Sequence, residues 1–297
     1  MNVLLTGAGG QLGRALQASP PAGWRLTALG RAQLDITDAD AVRETVARQR
    51  PQLIVNAAAY NAVDRAEQES GPAFAVNAQG PLNLARAANG VGARLVHVST
   101  DYVFDGRTRR PYDEHAAPHP LNEYGRSKLL GEQQALRAQP QALVLRTAWV
   151  YGAQGANFVR TMLELAARGQ PLRVVDDQTG CPTCAGDLAA AIAALASLPA
   201  VPGGIYHYCG ATALTRHDFA LAILRTADSM APVAPRRASL LRPIASSQYP
   251  SAAPRPAYSV LGCGKMAALG IPPRPLEDTL PEVVRAILAD MRPVPRA

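Results

Sequence analysis

The chain has 297 residues, 48% hydrophobic and 18% charged, the balance of an ordinary folded protein and enough length for one large domain or two smaller ones. A net charge of +7 combined with only 5% aromatic residues argues against a base-stacking nucleic-acid binder and suits an anionic small molecule. The opening "MNVLLTGAGGQLG" has no charged leader before its short apolar run, and no later apolar run reaches membrane-spanning length. The expectation is a cytoplasmic protein with neither nucleic acid nor membrane as partner.

In chain order, short apolar runs alternate with helical patterns. "NVLLT" (2–6) leads through a glycine loop into "QLGRALQAS", and "RLTALG" (25–30) into "DADAVRETVARQR", where Ala41, Val42, Thr45 and Val46 recur at helical spacing. "QLIVNAAAY" (52–60) precedes helical stretches that run through "PLNLARAANGV". "ARLVHVSTDYVF" (93–104) precedes a proline-rich loop and the helix that holds Tyr124 and Lys128. "ALVLRTAWVYG" (142–152) is a further strand-like run. This alternation predicts an α/β fold, a doubly wound parallel sheet of Rossmann type with helices on both faces. Beyond residue 150 come helices at 157–168, 186–197 and 215–229, a proline-rich connector at 232–257 and a closing helix at 275–291. The expected division is a dinucleotide-binding domain over 1–150, rejoined by part of 172–200, and a smaller, mainly C-terminal substrate lobe over 151–297.

"TGAGGQLG" places Gly7, Gly10 and Gly13 after the first strand and into a helix. There, glycines allow a tight turn and let backbone N–H groups approach a pyrophosphate at the helix N-terminus. The second strand ends at Gly30 and Arg31, with no carboxylate before Asp35. A guanidinium at that place favours a 2′-phosphate and predicts NADPH, leaving NADH open. Of 30 basic side chains only Lys128 and Lys265 are lysines, and Lys128 stands one helical turn after Tyr124. A free tyrosine ionises near pH ~10. A fixed ammonium ~4–6 Å away, at an effective dielectric of ~20, is worth ~3–4 kcal/mol and is expected to lower that value. Ser99 and Thr100 end a strand upstream and offer a hydroxyl for a developing negative charge. Cys181 and Cys184 read as a plain loop rather than a redox or zinc pair, and the scattered histidines suggest no metal site.

Together these residues resemble the extended short-chain dehydrogenase/reductases, and within them the dTDP-4-dehydrorhamnose reductase family. The likeness is carried by "TGAGGQLG", "LDITD", "VNAAAY", "AFAVNAQGPLNLA", "VHVSTDYVFDG", "YGRSKLLGE", "LRTAWVYG", "VVDDQTGCPT", "GIYHYCG" and "RPAYSVL". The resemblance implies that Gly10, Gln11 and Leu12 line the pyrophosphate, Asp35 and Ile36 the adenine, and Ala57, Ala58, Ala59 and Asn61 the nicotinamide half. It implies that Thr100 and Asp101 hold a nucleotide sugar, that Tyr124 donates the proton, that Lys128 tunes it and touches the cofactor, and that Trp149 packs the substrate. Arg255 is a candidate for the nucleotide half. The implied reaction is reduction of the 4-keto group of dTDP-4-dehydro-L-rhamnose. Other nucleotide-sugar 4-ketoreduction, 4-epimerisation, or a non-catalytic regulatory role like that of the methionine adenosyltransferase subunit stand as alternatives. Ala15 and Gly186 occupy positions where the family pattern has glutamates for magnesium at a dimer interface. Hence a monomer, or a dimer not bridged by magnesium, is expected.

Overall fold

The computed structural model describes residues 1–233 and 236–291; Ala234 and Pro235 of the proline-rich connector lie outside them. Strands β1 (Asn2–Thr6), β2 (Arg25–Leu29), β3 (Leu53–Asn56), β4 (Arg94–Thr100) and β5 (Leu143–Thr147) alternate with helices α1 (Gln11–Ala18), α2 (Ala39–Gln49), α3 (Val63–Ala66), α4 (Ser70–Phe74), α5 (Gly80–Val91) and α6 (Glu123–Ala138). Next come the short strands β6 (Val150–Tyr151), β7 (Leu172–Val175), β8 (Thr179–Gly180) and β9 (Thr183–Cys184), with α7 (Phe158–Ala167) and α8 (Ala185–Ser197) among them. The chain continues with β10 (Gly204–His207), β11 (Leu214–Thr215), α9 (Arg216–Met230), β12 (Leu241–Ile244), α10 (Gly264–Ala268) and α11 (Leu276–Asp290).

The central sheet has six strands in the order β10-β5-β4-β3-β1-β2, and every pairing in it is parallel. Its strands alternate owners. Val3 and Leu5 pack with Leu12 and Leu16 of α1 and with Leu188, Ile192 and Leu195 of α8. Leu4 points the other way, to Val42 and Val46 of α2 and Leu84 and Ala88 of α5. Each such fully buried aliphatic side chain contributes ~1.5–3 kcal/mol, which is why these strands read as continuous apolar runs. A separate core joins α7, α9, α11, β7 and β12 through residues such as Leu163, Phe219, Ile223, Leu241 and Val284.

Two details differ from the sequence expectation. The sheet gains a sixth strand, β10, from "GIYHYCG", and the long runs 52–60, 93–104 and 142–152 stop at Asn56, Thr100 and Thr147. Each strand ends in a polar residue, and at the tip of β3 the side chains bond across to the neighbouring strands. Thr6 Oγ1 donates to Asn56 Oδ1 at 2.8 Å, and Asn56 Nδ2 donates to His97 Nδ1 at 3.0 Å. The backbone beyond is thereby released into the loops that build the site.

Candidate active site

The order of strands reverses between β1 and β3, and the loops leaving their carboxyl ends meet there, the usual ligand crevice of such a sheet. Gly7 has φ +75°, and a Cβ at Gly7 would lie 2.5 Å from the backbone of Ala57 and Ala58. Only glycine lets the first loop lie against Ala57 and Ala58. Gly13 is likewise pressed on the backbone of Gly7 and Ala8. Helix α1 begins at Gly10 with no side-chain cap and no acidic residue in its first turn. Its N–H groups and its positive end therefore remain available to an anion. Gln11 donates to the Val150 carbonyl at 3.3 Å, but its Oε1 is buried without a partner. The cradle fits a dinucleotide pyrophosphate.

Arg31 and Asp35 follow β2. The Arg31 side chain is 83% exposed and pairs with Asp35 at 3.4 Å. Asp35 Oδ1 accepts from the Thr37 N–H and hydroxyl, and these bonds hold its carboxyl below the usual range. Ile36 is buried, and its carbonyl accepts from Asn83 Nδ2 at 3.0 Å. Asn61 is exposed; its neighbour Tyr60 is pinned instead, with Tyr60 N donating to Asn77 Oδ1 at 2.8 Å and Asn77 Nδ2 donating to the Tyr60 carbonyl at 3.0 Å.

At the tip of β4, Thr100 Oγ1 donates to Asp101 Oδ1 at 3.1 Å. Tyr124 enters from α6, whose N-cap Asn122 accepts from the Gly125 N–H at 2.7 Å. The fold thus brings Thr100, Asp101 and Tyr124 together, with the Tyr102 ring edge-on to Tyr124 at 5.7 Å between centroids. Lys128, one turn further along α6, is buried, its Nζ donating to the Val98 carbonyl at 2.7 Å.

The expected lowering of the tyrosine does not hold in this arrangement. Burial raises the Tyr124 phenol well above its ordinary value, against the pull of the Thr100 hydroxyl, with Asp101 and Tyr102 adding to the rise. The reason is geometric: the Lys128 amine is turned to a backbone carbonyl of β4, and it is itself pushed down to about 8 by burial. Tyr124 is therefore a proton-loaded phenol throughout the neutral range.

Asp101 is also buried, and burial pushes its carboxyl up to about 6 despite the hydroxyls of Ser259 and Thr100 and the charge of Arg216. A value raised from 3.8 means stability that is complete below the unfolded value and is lost as pH rises through about 6, roughly 3 kcal/mol in all. Thermal melts across pH 4–8, a range chosen to bracket both values, should show Asp101→Asn gaining on the parent as pH rises through 6. Parallel curves for the two proteins would contradict this assignment.

Sequence reasoning missed Arg216, which opens α9 and stacks on Trp149 at 3.6 Å from the ring centroid. No local pattern marks it, since it meets Trp149 and the Asp101–Tyr102 corner only through the tertiary fold. Trp149 itself sits at φ +46°, and its ring leaves no room for a Cβ at Gly180. Arg216 and Arg255 line a cavity of about 690 Å³ with Phe158, Met162, Gln178 and Ser246. Arg255 holds Asp64 in a two-pronged pair at 2.6 and 3.1 Å, so its charge is already partly engaged.

The cysteines meet differently from their spacing: Cys209 and Cys263 bring their sulfurs to 3.6 Å, and Cys181 is buried in the same cluster as Cys209. Asp176, His217 and Asp218 gather their ligand atoms within 4.8 Å at the surface, where Asp176 Oδ1 already accepts from Thr215 Oγ1. No described helix is long and apolar enough to cross a membrane.

Comparison with known proteins places this geometry. The model of the RmlD substrate binding domain matches residues 1–289. The chain is 43% identical over 290 residues to dTDP-4-dehydrorhamnose reductase of Mycolicibacterium smegmatis, covering 96% of this chain and 86% of that protein. It is 44% identical over 299 residues to a probable dTDP-4,6-dihydroxy-2-methyloxan-3-one 4-ketoreductase of Streptomyces antibioticus, covering 100% and 99%. Among solved structures, a dTDP-4-dehydrorhamnose reductase from Clostridium acetobutylicum superposes with a TM-score of 0.89 at 36% identity, covering 98% of this chain and 100% of that one. The Bacillus anthracis reductase in complex with NADP gives 0.87 at 35%, covering 98% and 99%. The chain belongs to the RmlD family, alongside the dTDP-4-dehydrorhamnose reductases.

Proposed function

We propose that this oxidoreductase reduces the 4-keto group of dTDP-4-dehydro-L-rhamnose to give dTDP-L-rhamnose, using NADPH, in the cytoplasm. The observation that carries the reading is the Thr100–Asp101–Tyr124 cluster at the carboxyl ends of the strands, with the uncapped glycine loop at the neighbouring switch point. NADPH, when bound, supplies the hydride. Residues 1–150, with α8 and the strand that follows it, form the cofactor lobe, and the core of α7, α9 and α11 forms the substrate lobe.

In this reading the N–H groups of Gln11 and Leu12 hold the pyrophosphate, Gly10, whose own N–H donates to the Gly7 carbonyl at 3.0 Å, lines it, Gly7 and Gly13 allow its approach, and Asp35 and Ile36 flank the adenine. Ala57, Ala58 and Ala59 flank the nicotinamide half, with Asn61 at its exposed rim. Thr100 and Asp101 hold the sugar, Trp149 packs on it, and Arg216 and Arg255 face the anionic nucleotide from the large cavity. Tyr124 gives its proton to the new alkoxide. An alkoxide is a much stronger base than a phenolate, so the transfer is favourable even from a phenol whose pKa burial has raised. Lys128 offers a cation one helical turn from the phenol and donors for ribose hydroxyls. Ala15 and Gly186 carry no side-chain oxygen, so this reading assigns no magnesium ion to those positions, and no step uses one.

The test is NADPH oxidation with dTDP-4-dehydro-L-rhamnose, run beside the substrate class of the Streptomyces antibioticus relative and repeated with EDTA. Turnover of the first, indifferent to EDTA, is the expected result; turnover of the second alone would reassign the sugar but keep the 4-keto reduction. Arg31→Ala should lower the ratio of kcat/KM for NADPH over NADH by about tenfold, the worth of one charge-assisted contact. An unchanged ratio would remove Arg31 from the 2′-phosphate site.

A further inference from the structure

Behind the tyrosine–lysine face, α6 carries a second buried charge that the reaction as described does not use. Glu132 follows Lys128 by one turn, and the two residues are 1% and 2% exposed. Glu132 Oε1 accepts from Ser99 Oγ at 2.5 Å and from Arg146 Nε at 2.9 Å, while Oε2 accepts from Arg146 Nη2 at 2.7 Å. The chain of contacts continues across the sheet. Arg146 lies over the Phe104 ring at 5.1 Å and turns Nη1 to His207 Nε2 at 3.4 Å. His207 Nδ1 donates to the Tyr112 carbonyl at 3.1 Å, which leaves Nε2 as the acceptor. Burial and the Arg146 charge hold His207 near 3, so it stays neutral.

As a strut alone this is a costly construction, because well-packed apolar side chains replace a buried ion pair with little or no loss. An apolar pair cannot, however, exert a field on its neighbour. Lys128 is the neighbour that needs one. Its ammonium has three protons and one partner among the described residues, the Val98 carbonyl. The charged or titratable groups that act on it are His97 of β4 and Glu132 of its own helix, with Tyr124 one turn before it on the same helix. His97 is kept neutral by burial and by the Lys128 charge itself. Of these groups, Glu132 is the one whose charge opposes the desolvation of the amine. The Ser99 and Arg146 bonds fix both carboxylate oxygens, so the carboxylate cannot swing away.

We propose that Glu132, clamped by Arg146 and Ser99, is a positioning residue that keeps the buried Lys128 amine protonated, and so holds a cation one helical turn from Tyr124, at neutral pH. The kinetic consequence rests on the reductase reading, but the charge on Lys128 is measurable without turnover. The chain makes this direct, since Lys128 and Lys265 are its only lysines. Lysine labelled at Cε gives two resonances in an NMR titration, and Lys265→Arg assigns them. Lys265 lies apart, donating to the Ile205 carbonyl at 2.7 Å over the Tyr206 ring.

The parent should titrate at Lys128 with a midpoint of about 8. Glu132→Gln should move that midpoint down by about one unit, a tenfold loss of proton affinity, and leave Lys265 in place. The alkaline limb of kcat should move with it while KM is held. Should Glu132→Gln fail to fold around an unpaired Arg146, the Glu132→Met/Arg146→Met double variant keeps the volume filled and should show the same downward shift. A Lys128 midpoint that does not move in the folded variant, with only stability lost, overturns the proposal. A shifted midpoint in a parent protein that turns over no ketosugar would leave the proposal standing and remove the reductase reading instead.

Discussion

Tyr124→Phe should lower kcat for ketone reduction by a factor on the order of 10²–10⁴, the usual worth of a placed general acid. Phenylalanine keeps the ring and its edge-on contact with Tyr102, so the cavity and KM should change little. The phenol is fully protonated in the neutral range because burial raises it. The parent rate should accordingly show no titration of Tyr124 between pH ~6 and ~9, a window well below even an unperturbed phenol. Any alkaline fall in that window belongs to Lys128. Stopped-flow NADPH oxidation on both proteins checks the two statements together. A Phe variant within a few-fold of the parent would mean that water or Thr100 delivers the proton.

The second large effect is on stability. Arg146→Met leaves the Glu132 carboxylate buried without its partner, and loss of one member of such a pair typically costs ~3–5 kcal/mol. Both side chains are nearly inaccessible, 4% and 2% exposed, so solvent cannot make up the loss. Restoring neutrality with Glu132→Met in the same chain should recover most of that cost, since the pair is replaced by apolar volume. Urea unfolding of the two single variants and the double variant forms a cycle whose coupling term is the measurement. Strict additivity of the single costs would show that the two groups act independently. The sign for Lys128 is separate: its lowered pKa removes stability as pH falls through about 8, and that penalty is absent above its unfolded value.

The sequence made the sheet legible because a parallel strand covered on both faces must be apolar throughout, and Leu4, Leu53, Ile54, Leu95 and Val144 are all inaccessible. β10 escaped notice because its four residues include Tyr206 and His207, polar-tipped side chains of which His207 finds its partner only at Tyr112, far along the chain. The glycine loop and the Tyr124–Lys128 spacing were readable, since both are set by local geometry. Arg216 was not, because its ring partner Trp149 and the Asp101–Tyr102 corner come from two other segments. The direction of the tyrosine shift was also beyond reach. Spacing places Lys128 on the face of Tyr124, but whether the amine turns to the phenol or to Val98 is decided by where β4 runs. Glu132 carried a signal that spacing could have used, a carboxylate one turn past the lysine in "KLLGE".

The place of β10 in the sheet has a consequence for how the molecule is made. β5 pairs with β10 along Leu143–Arg146, and α8 covers the face formed by Val3, Leu5, Leu12 and Leu16. A chain released at residue 150 therefore ends with an open strand edge and a bare apolar surface, both of which invite association. During synthesis the face of the first strand is covered only after α8, ending at Ser197, has emerged, and the edge of β5 only after His207 has. The order of synthesis and the order of assembly are not the same.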